Sequence, residues 1–253
     1  MAGAQSPAPQ KISIVLPKPD NPEVPVNFYI VQMIEEALAT ENITATVSYS
    51  KEPMNEKRAI YSLQNNHLVN LYWLSTNTQL ERDLRAIKIP LYKGLNGKRI
   101  LLIHRELAPQ FAAIKTLEQL KAYVGLQQQS WSDYQILVDN GLNIDGSQAY
   151  HAMYKALNNK LGDYFPRSVL MVRSEYQNNQ SDDIIIEPTL LLSYPNDYYF
   201  FLNKDNQQLA SQLETGLNTL IANGRFEEIF SQHFAQRLQG LNLPERHIIY
   251  LKK

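Results

Sequence analysis

The stretch "YYFFLNKDNQQLASQLETGLNTLIANGRFEEIFSQHF" (Tyr198–Phe234) decides the fold. It opens on a continuous apolar run, "YYFFLN" (Tyr198–Asn203), of the kind a buried strand requires. Leu209, Leu213, Leu217, Leu220 and Ile221 then recur at helical spacing and stop at Gly224. Phe226, Ile229, Phe230 and Phe234 repeat that spacing in a second helix. A strand followed by two amphipathic helices needs a sheet to cover, and the residues upstream supply one.

"KISIVL" (Lys11–Leu16) is a short β-rich run closed by the proline-rich "PKPDNPEVP". In "VNFYIVQMIEEALA", Val26, Tyr29, Ile30, Met33, Ile34, Ala37 and Leu38 form one helical stripe. "ITATVSYS" reads as a strand, "NEKRAIYSLQNN" as a helix with Ile60 and Leu63 inward, and "LVNLYWLS" as a third strand. Strand, helix, strand, helix, strand predicts a parallel sheet with covering helices. The pattern restarts at "KRILLIHR" (Lys98–Arg105). "TLEQLKAY" follows with Thr116 as N-cap, then the strand "VGLQQ" and the helix "SWSDYQILVDNG". There Ser130 and Asp133 fit a capping pair and Gly141 a stop. Tyr150, Met153, Tyr154 and Leu157 share a face of the next helix. "YFPRSVLMV" and the β-rich "DIIIEPTLLLSY" complete the second α/β unit, and "NLPERHIIYLKK" offers a last strand. Two such units predict two lobes, with ligand at the carboxyl ends of strands and the cleft between lobes as the default site.

Composition narrows the partners. A chain of 253 residues with 44% hydrophobic residues can bury a full core, and a net charge of -1 gives no broad basic field for nucleic acid. Cysteine is absent, which removes disulfides, thiolate nucleophiles and zinc–cysteine sites. No apolar run approaches the roughly 18 residues of a membrane helix. The opening "MAGAQSPAPQ" has no apolar core and reads as a flexible leader over 1–10, not as an intact signal peptide. The five histidines, 67, 104, 151, 233 and 247, are scattered without metal-ligand spacing, and "GLNGKR" lacks the phosphate-loop spacing. Neither a metal nor a cofactor is expected.

Several residues stand out chemically. In "STNTQLERDLRAIKIPLYKG" (Ser75–Gly94), Thr78 and Glu81 fit a capping box, which sets Arg82 in the first helical turn. Its planar fork matches a carboxylate there, beside backbone N–H groups that already favour anions. Ser75, Asn77 and Thr78 are neighbouring donors, and Arg85 is the competing arginine. Gln129, Ser130 and Trp131 open a helix on the second lobe. Tyr72 and Trp73 end the third strand, where alternation turns one of them inward, and Trp73 is carried as a ligand contact.

The order of segments resembles the family 3 solute-binding proteins of bacterial ABC importers, with the type 2 periplasmic binding protein fold. The likeness rests on "STNTQLERDLRAIKIPLYKG", on "TLEQLKAYVGLQQQSWSDYQIL" and on the stretch quoted first. It implies an α/β fold of two lobes, each a mostly parallel sheet flanked by helices, joined by two crossing strands. Lobe 1 would hold 11–103 and 196–253, lobe 2 would hold 107–192, and the hinge would lie near 104–106 and 193–195. It implies that Arg82 binds the α-carboxylate of an amino acid. It also implies that Asp163, in "GDYFPR", pairs with the ligand ammonium, while Arg167 favours a second acidic group. The implied protein is a periplasmic, monomeric, non-enzymatic binder of a small carboxylate-bearing ligand, an amino acid or relative. Its further partner would be a membrane transporter or sensor.

Two rival readings stay open. The family's aromatic "Y-P-P-F" segment is replaced here by "PKPDNPEVPVNF", which keeps a sensory or interaction module in view. A lyase or dehydratase on the same scaffold would draw its general base or acid from Glu106, Asp163 or Glu187.

Overall fold

The computed structural model describes residues 10–18, 26–129, 131–179 and 181–253. All but the last residue of the expected leader, and most of the proline-rich loop after Leu16, lie outside them. In chain order the elements are β1 (Gln10–Lys18), α1 (Val26–Thr40), β2 (Ile43–Pro53), α2 (Glu56–Gln64), β3 (Tyr72–Ser75), α3 (Thr78–Asp83) and β4 (Arg85–Ile87). Then come β5 (Lys98–His104), α4 (Ala108–Ala112), α5 (Leu117–Leu120), β6 (Val124–Leu126), α6 (Ser132–Asp139), β7 (Asn143–Asp145), α7 (Tyr150–Asn158), β8 (Tyr164–Ser168) and α8 (Val172–Asn178). The chain closes with β9 (Ile184–Ile186), β10 (Leu190–Ser193), β11 (Tyr198–Leu202), α9 (Gln207–Ala222), α10 (Arg225–Leu238) and β12 (His247–Tyr250). They divide into two compact units, residues 1–91 with 198–233, and residues 92–197 with 234–253.

In the first unit β1 and β2 pair in parallel, as expected of a strand–helix–strand start. The stripe of α1 is fully buried from Tyr29 through Leu38 at its inward positions. The third run departs from the expected parallel order. β3 pairs antiparallel with β11, which also carries β4 antiparallel on its other edge. The run keeps its link to β1 through Asn70. The Asn70 side chain accepts from Val15 N at 2.8 Å and donates to Ser13 O at 2.9 Å. A polar side chain thus does there what a ladder would do. Leu213, Leu217 and Leu220 of α9 are buried, while Ile221 at the stripe's edge is exposed.

In the second unit the sheet order is β12-β10-β5-β8-β6-β7, with β9 also paired to β5. β12 and β10 run parallel, as do β8, β6 and β7, while β5 runs antiparallel to β10, β8 and β9. Ile100, Leu101, Leu102 and Ile103 of β5 are all buried, as a strand covered on both faces must be. The expected boundaries shift for this reason. β5 and β10, read as crossing strands beside a hinge, both belong to this sheet and pair with each other. The tail joins the second unit because β12 pairs with β10 residue by residue from Leu190↔His247 to Ser193↔Tyr250. The chain changes unit after 91, 197 and 233.

Local signals held where a short motif carried them. Thr116 caps α5 in a reciprocal box with Gln119. Gly141 and Gly224 follow α6 and α9 with φ of +77° and +82°. Asp133 does not cap α6; it takes the guanidinium of Arg99 at 2.9 and 2.6 Å. Among the buried polar groups of the second unit, Gln127 is the least engaged. Gln127, directly after β6, is 0% exposed, and among the described residues neither atom of its amide meets a hydrogen-bond partner.

Two substitutions test this packing. A Cβ on Gly216 of α9 would stand 2.0 Å from the carbonyl oxygen of Ala37 in α1. Backbone cannot swing aside as a side chain can, so Gly216→Ala should cost about 2–3 kcal/mol in urea unfolding. An unchanged midpoint would show that the helices move apart freely. Gln127→Leu removes a desolvated, unpartnered amide and should raise stability by roughly 1 kcal/mol in the same assay. A loss would mean the amide is satisfied in solution.

Candidate functional site

Each unit presents its own set of polar residues at a strand end. In the first unit the set follows β3. Asn77, not Thr78, caps α3, accepting from Leu80 N at 2.8 Å. Glu81 is not the return arm of a box. It accepts from Thr76 Oγ1 at 2.7 Å and pairs with Lys88 at 2.5 Å. Lys88 first, and Thr76 second, hold its carboxyl below the usual range. The cap moves one residue upstream because Asn77 is extended, with φ of −150°, and its short side chain reaches the free N–H groups.

That shift changes the surroundings of Arg82. α3 is six residues long, and Arg82 lies in its last turn. A cation there agrees with the helix dipole, whereas in the first turn, where the sequence set it, it would oppose that dipole. Arg82 is exposed, and among the described residues its hydrogen bond is to Gln79 Oε1 at 2.6 Å, within its own helix. Its fork is therefore presented to solvent without a carboxylate partner. Arg85 is also exposed. Ser75 is half-buried opposite Tyr198, and Asn77 and Thr78 are exposed beside Arg82. Tyr72 packs against the core of this unit. Trp73 is half-buried, its ring edge-on to Tyr72 at 5.5 Å.

In the second unit the carboxyl ends of β6 and β8 carry the polar set. Gln129 is exposed after β6, and Ser130 lies outside the described residues. Trp131 holds the N-cap position of α6 without a side-chain cap bond. Asp163 is not at this edge. It precedes β8 and accepts from Val124 N, the first residue of β6, at 2.7 Å. Because β6 and β8 run parallel, their amino ends meet there, and the aspartate is spent on the backbone. The structure thus does not bring Asp163 together with Gln129 and Trp131.

Arg167 does reach this edge, one residue from the carboxyl end of β8. Its guanidinium is not open for a second ligand carboxylate. It binds Glu175 of α8 through both arms, Nε and a terminal nitrogen each at 2.5 Å. The side chains are 13% and 9% exposed, so the pair is nearly desolvated. The guanidinium carbon lies 4.7 Å from the ring centres of Trp131 and Phe165 and 5.3 Å from that of Tyr150. Such distances are those of cation–π contact. Burial works against the charge of Arg167, but the bonds to Glu175 outweigh it and raise its pKa. Burial, followed by the charge of Glu175, pushes the hydroxyls of Tyr150 and Tyr154 up. The sequence marked Arg167 and Trp131 but not Glu175, Tyr150 or Phe165 as their companions. A glutamate three residues after the buried Val172, on the same helical face, was the available signal.

The other carboxylates named for acid–base work are also engaged. Glu187 is 0% exposed and accepts from Thr189 N and Oγ1 and from Leu190 N, with Arg246 at 3.7 Å. Glu106 is exposed and pairs with Lys160 at 2.5 Å, which lowers its pKa.

No family profile matches this chain, and no curated protein sequence matches it. Solved structures do. The probable amino-acid ABC transporter extracellular-binding protein ytmK from Bacillus subtilis is 16% identical at a TM-score of 0.61, over 88% of this chain and 97% of that one. The lysine complex of a putative ABC transporter binding component from Wolinella succinogenes is 11% identical at 0.61, over 88% and 95%. The GluR0 ligand-binding core from Nostoc punctiforme, in complex with L-glutamate, is 15% identical at 0.55, over 89% and 99%. This chain therefore has the α/β type 2 periplasmic binding fold expected of it.

Proposed function

We propose that the protein is a solute-binding protein of the cell envelope that captures a small carboxylate-bearing ligand, an amino acid or a close relative, without chemical conversion. The observation that carries the reading is Arg82. It is an exposed guanidinium bound only within its own short helix among the described residues, with Asn77, Thr78 and Ser75 beside it. It sits on a fold whose solved examples include proteins complexed with lysine and with L-glutamate. A planar fork and adjacent hydroxyl and amide donors suit a carboxylate, which they bind by charge-assisted hydrogen bonds. The engagement of Glu187, Asp163 and Glu106 by donors of their own chain supports binding over turnover. Delivery to a membrane transporter follows the pattern of the ABC-linked examples.

A thermal-shift series with amino acids, dicarboxylates and polyamines, run on wild type and Arg82→Ala, tests the reading. A ligand bound at 100 times its Kd adds about 2.7 kcal/mol of stability, which moves the melting point by several degrees. One carboxylate-bearing class should shift the wild type, and the variant should lose most of that shift. A shift that survives in the variant removes Arg82 as the anchor, and no shift with any compound removes the binder.

A further inference from the structure

Unit 2 carries a complete charge-recognition site that the chain fills from within. Three aromatic faces, Trp131, Phe165 and Tyr150, stand at cation–π distance from one point, and Glu175 supplies the carboxylate beneath. This is what a ligand guanidinium or ammonium would seek, and Arg167 occupies it. Seen from the other partner, the bidentate fork of Arg167 is what a ligand carboxylate would seek, and Glu175 occupies that. Each half is a seat for an external charge, and each is taken by the other. The cluster lies at the carboxyl ends of β6 and β8, where open α/β sheets bind ligands. It is not sealed into the core, since Tyr150 is 36% exposed and Trp131 half-buried. In the same strand-to-helix connection, Gln127 is buried and both its amide atoms lack a hydrogen-bond partner among the described residues, a neutral donor and acceptor in one group.

We propose that the Arg167–Glu175 pair determines specificity. By neutralising both charge seats, it makes the protein prefer an uncharged ligand side chain over an acidic or a basic one. This rests on the solute-binding function proposed above and names the ligand class within it. An acidic side chain would have to displace Glu175, and a basic one Arg167. Either leaves a nearly buried charge without its partner, which is what rejects the wrong ligand.

The test uses glutamine, glutamate and lysine as probes of similar size, with tryptophan fluorescence and melting as readouts. Wild type should favour glutamine. Glu175→Gln frees the fork and should move the preference toward glutamate by about tenfold or more, and Arg167→Met frees the carboxylate and should move it toward lysine similarly. An unchanged order of preference in all three proteins overturns the proposal while leaving the solute-binding reading intact. If wild type binds none of the probes but each variant gains the matching charged one, the pair excludes charge, yet the preference for an uncharged side chain is overturned. If no protein binds any probe, both fall. Should a single variant melt below the assay temperature, Arg167→Met/Glu175→Leu decides, because it leaves no charge unpaired. It should lose discrimination among the probes, and retention of the wild-type order overturns the proposal.

Discussion

The antiparallel pairing of β5 with β8 is the constraint on which the second unit depends. β5 is buried along Ile100–Ile103, so a slip of one residue would turn its neighbour's side chains to the wrong face. The register is fixed from Arg99↔Ser168 to Ile103↔Tyr164. It sets Ile100 opposite Arg167 and brings that guanidinium to the carboxyl end of β8. The start of β5 acts on a different element. Arg99, 9% exposed at its side chain, grips Asp133 and so ties the start of α6 to the same sheet. Trp131 stands at the N-cap position of that helix and stacks on Phe165 with ring planes 16° apart. One strand register thus fixes both Arg167 and the aromatic faces around it.

Proline has a part in this placement. β8 meets β6 at one register position, Gly125↔Tyr164, and runs on without it. Pro166 lies in the stretch beyond, and a residue with no N–H cannot extend a ladder on both sides. The sequence "YFPRS" carried that information in its proline, which is uncommon inside a strand.

Periodicity made the covering helices legible. The stripe from Tyr29 to Leu38 and that of Leu213, Leu217 and Leu220 are buried as their spacing required, because helix faces are set by local geometry alone. Strand partnership was harder to read. Nothing local in "LVNLYWLS" shows that β3 runs antiparallel to a strand more than a hundred residues later, and nothing in the tail shows that β12 joins β10. The same division holds at the candidate site. Arg82 was marked by its own neighbours, yet its turn in the helix was misplaced, because Asn77 and Thr78 are both good caps and the backbone chose the first. Asp163 was marked by its position in a motif and is spent on Val124 N, a contact across 39 residues. The pairing of Glu175 was hidden for the same reason, since its partner lies on a different element.

A nearly buried ion pair is poor evidence for stability. The desolvation of two charges often exceeds their attraction, and well-packed apolar residues of like volume can do as well or better. Two apolar side chains in place of Arg167 and Glu175 would suit the aromatic surroundings without that cost. Fold stability therefore gives little reason for this pair, whereas recognition gives one. The guanidinium fork, the carboxylate and the aromatic faces are each complementary to charge, and together they cancel it. A surface so built meets neutral groups without penalty and meets charged ones with an unpaired partner. The same reasoning covers Gln127, whose unpartnered amide is a cost to the core and an asset only to a group that can both donate and accept. Arg82 carries no such cost, being exposed, and so its charge is available for an anion. The chain thus keeps one arginine open and closes another with its own glutamate, and that difference follows from burial.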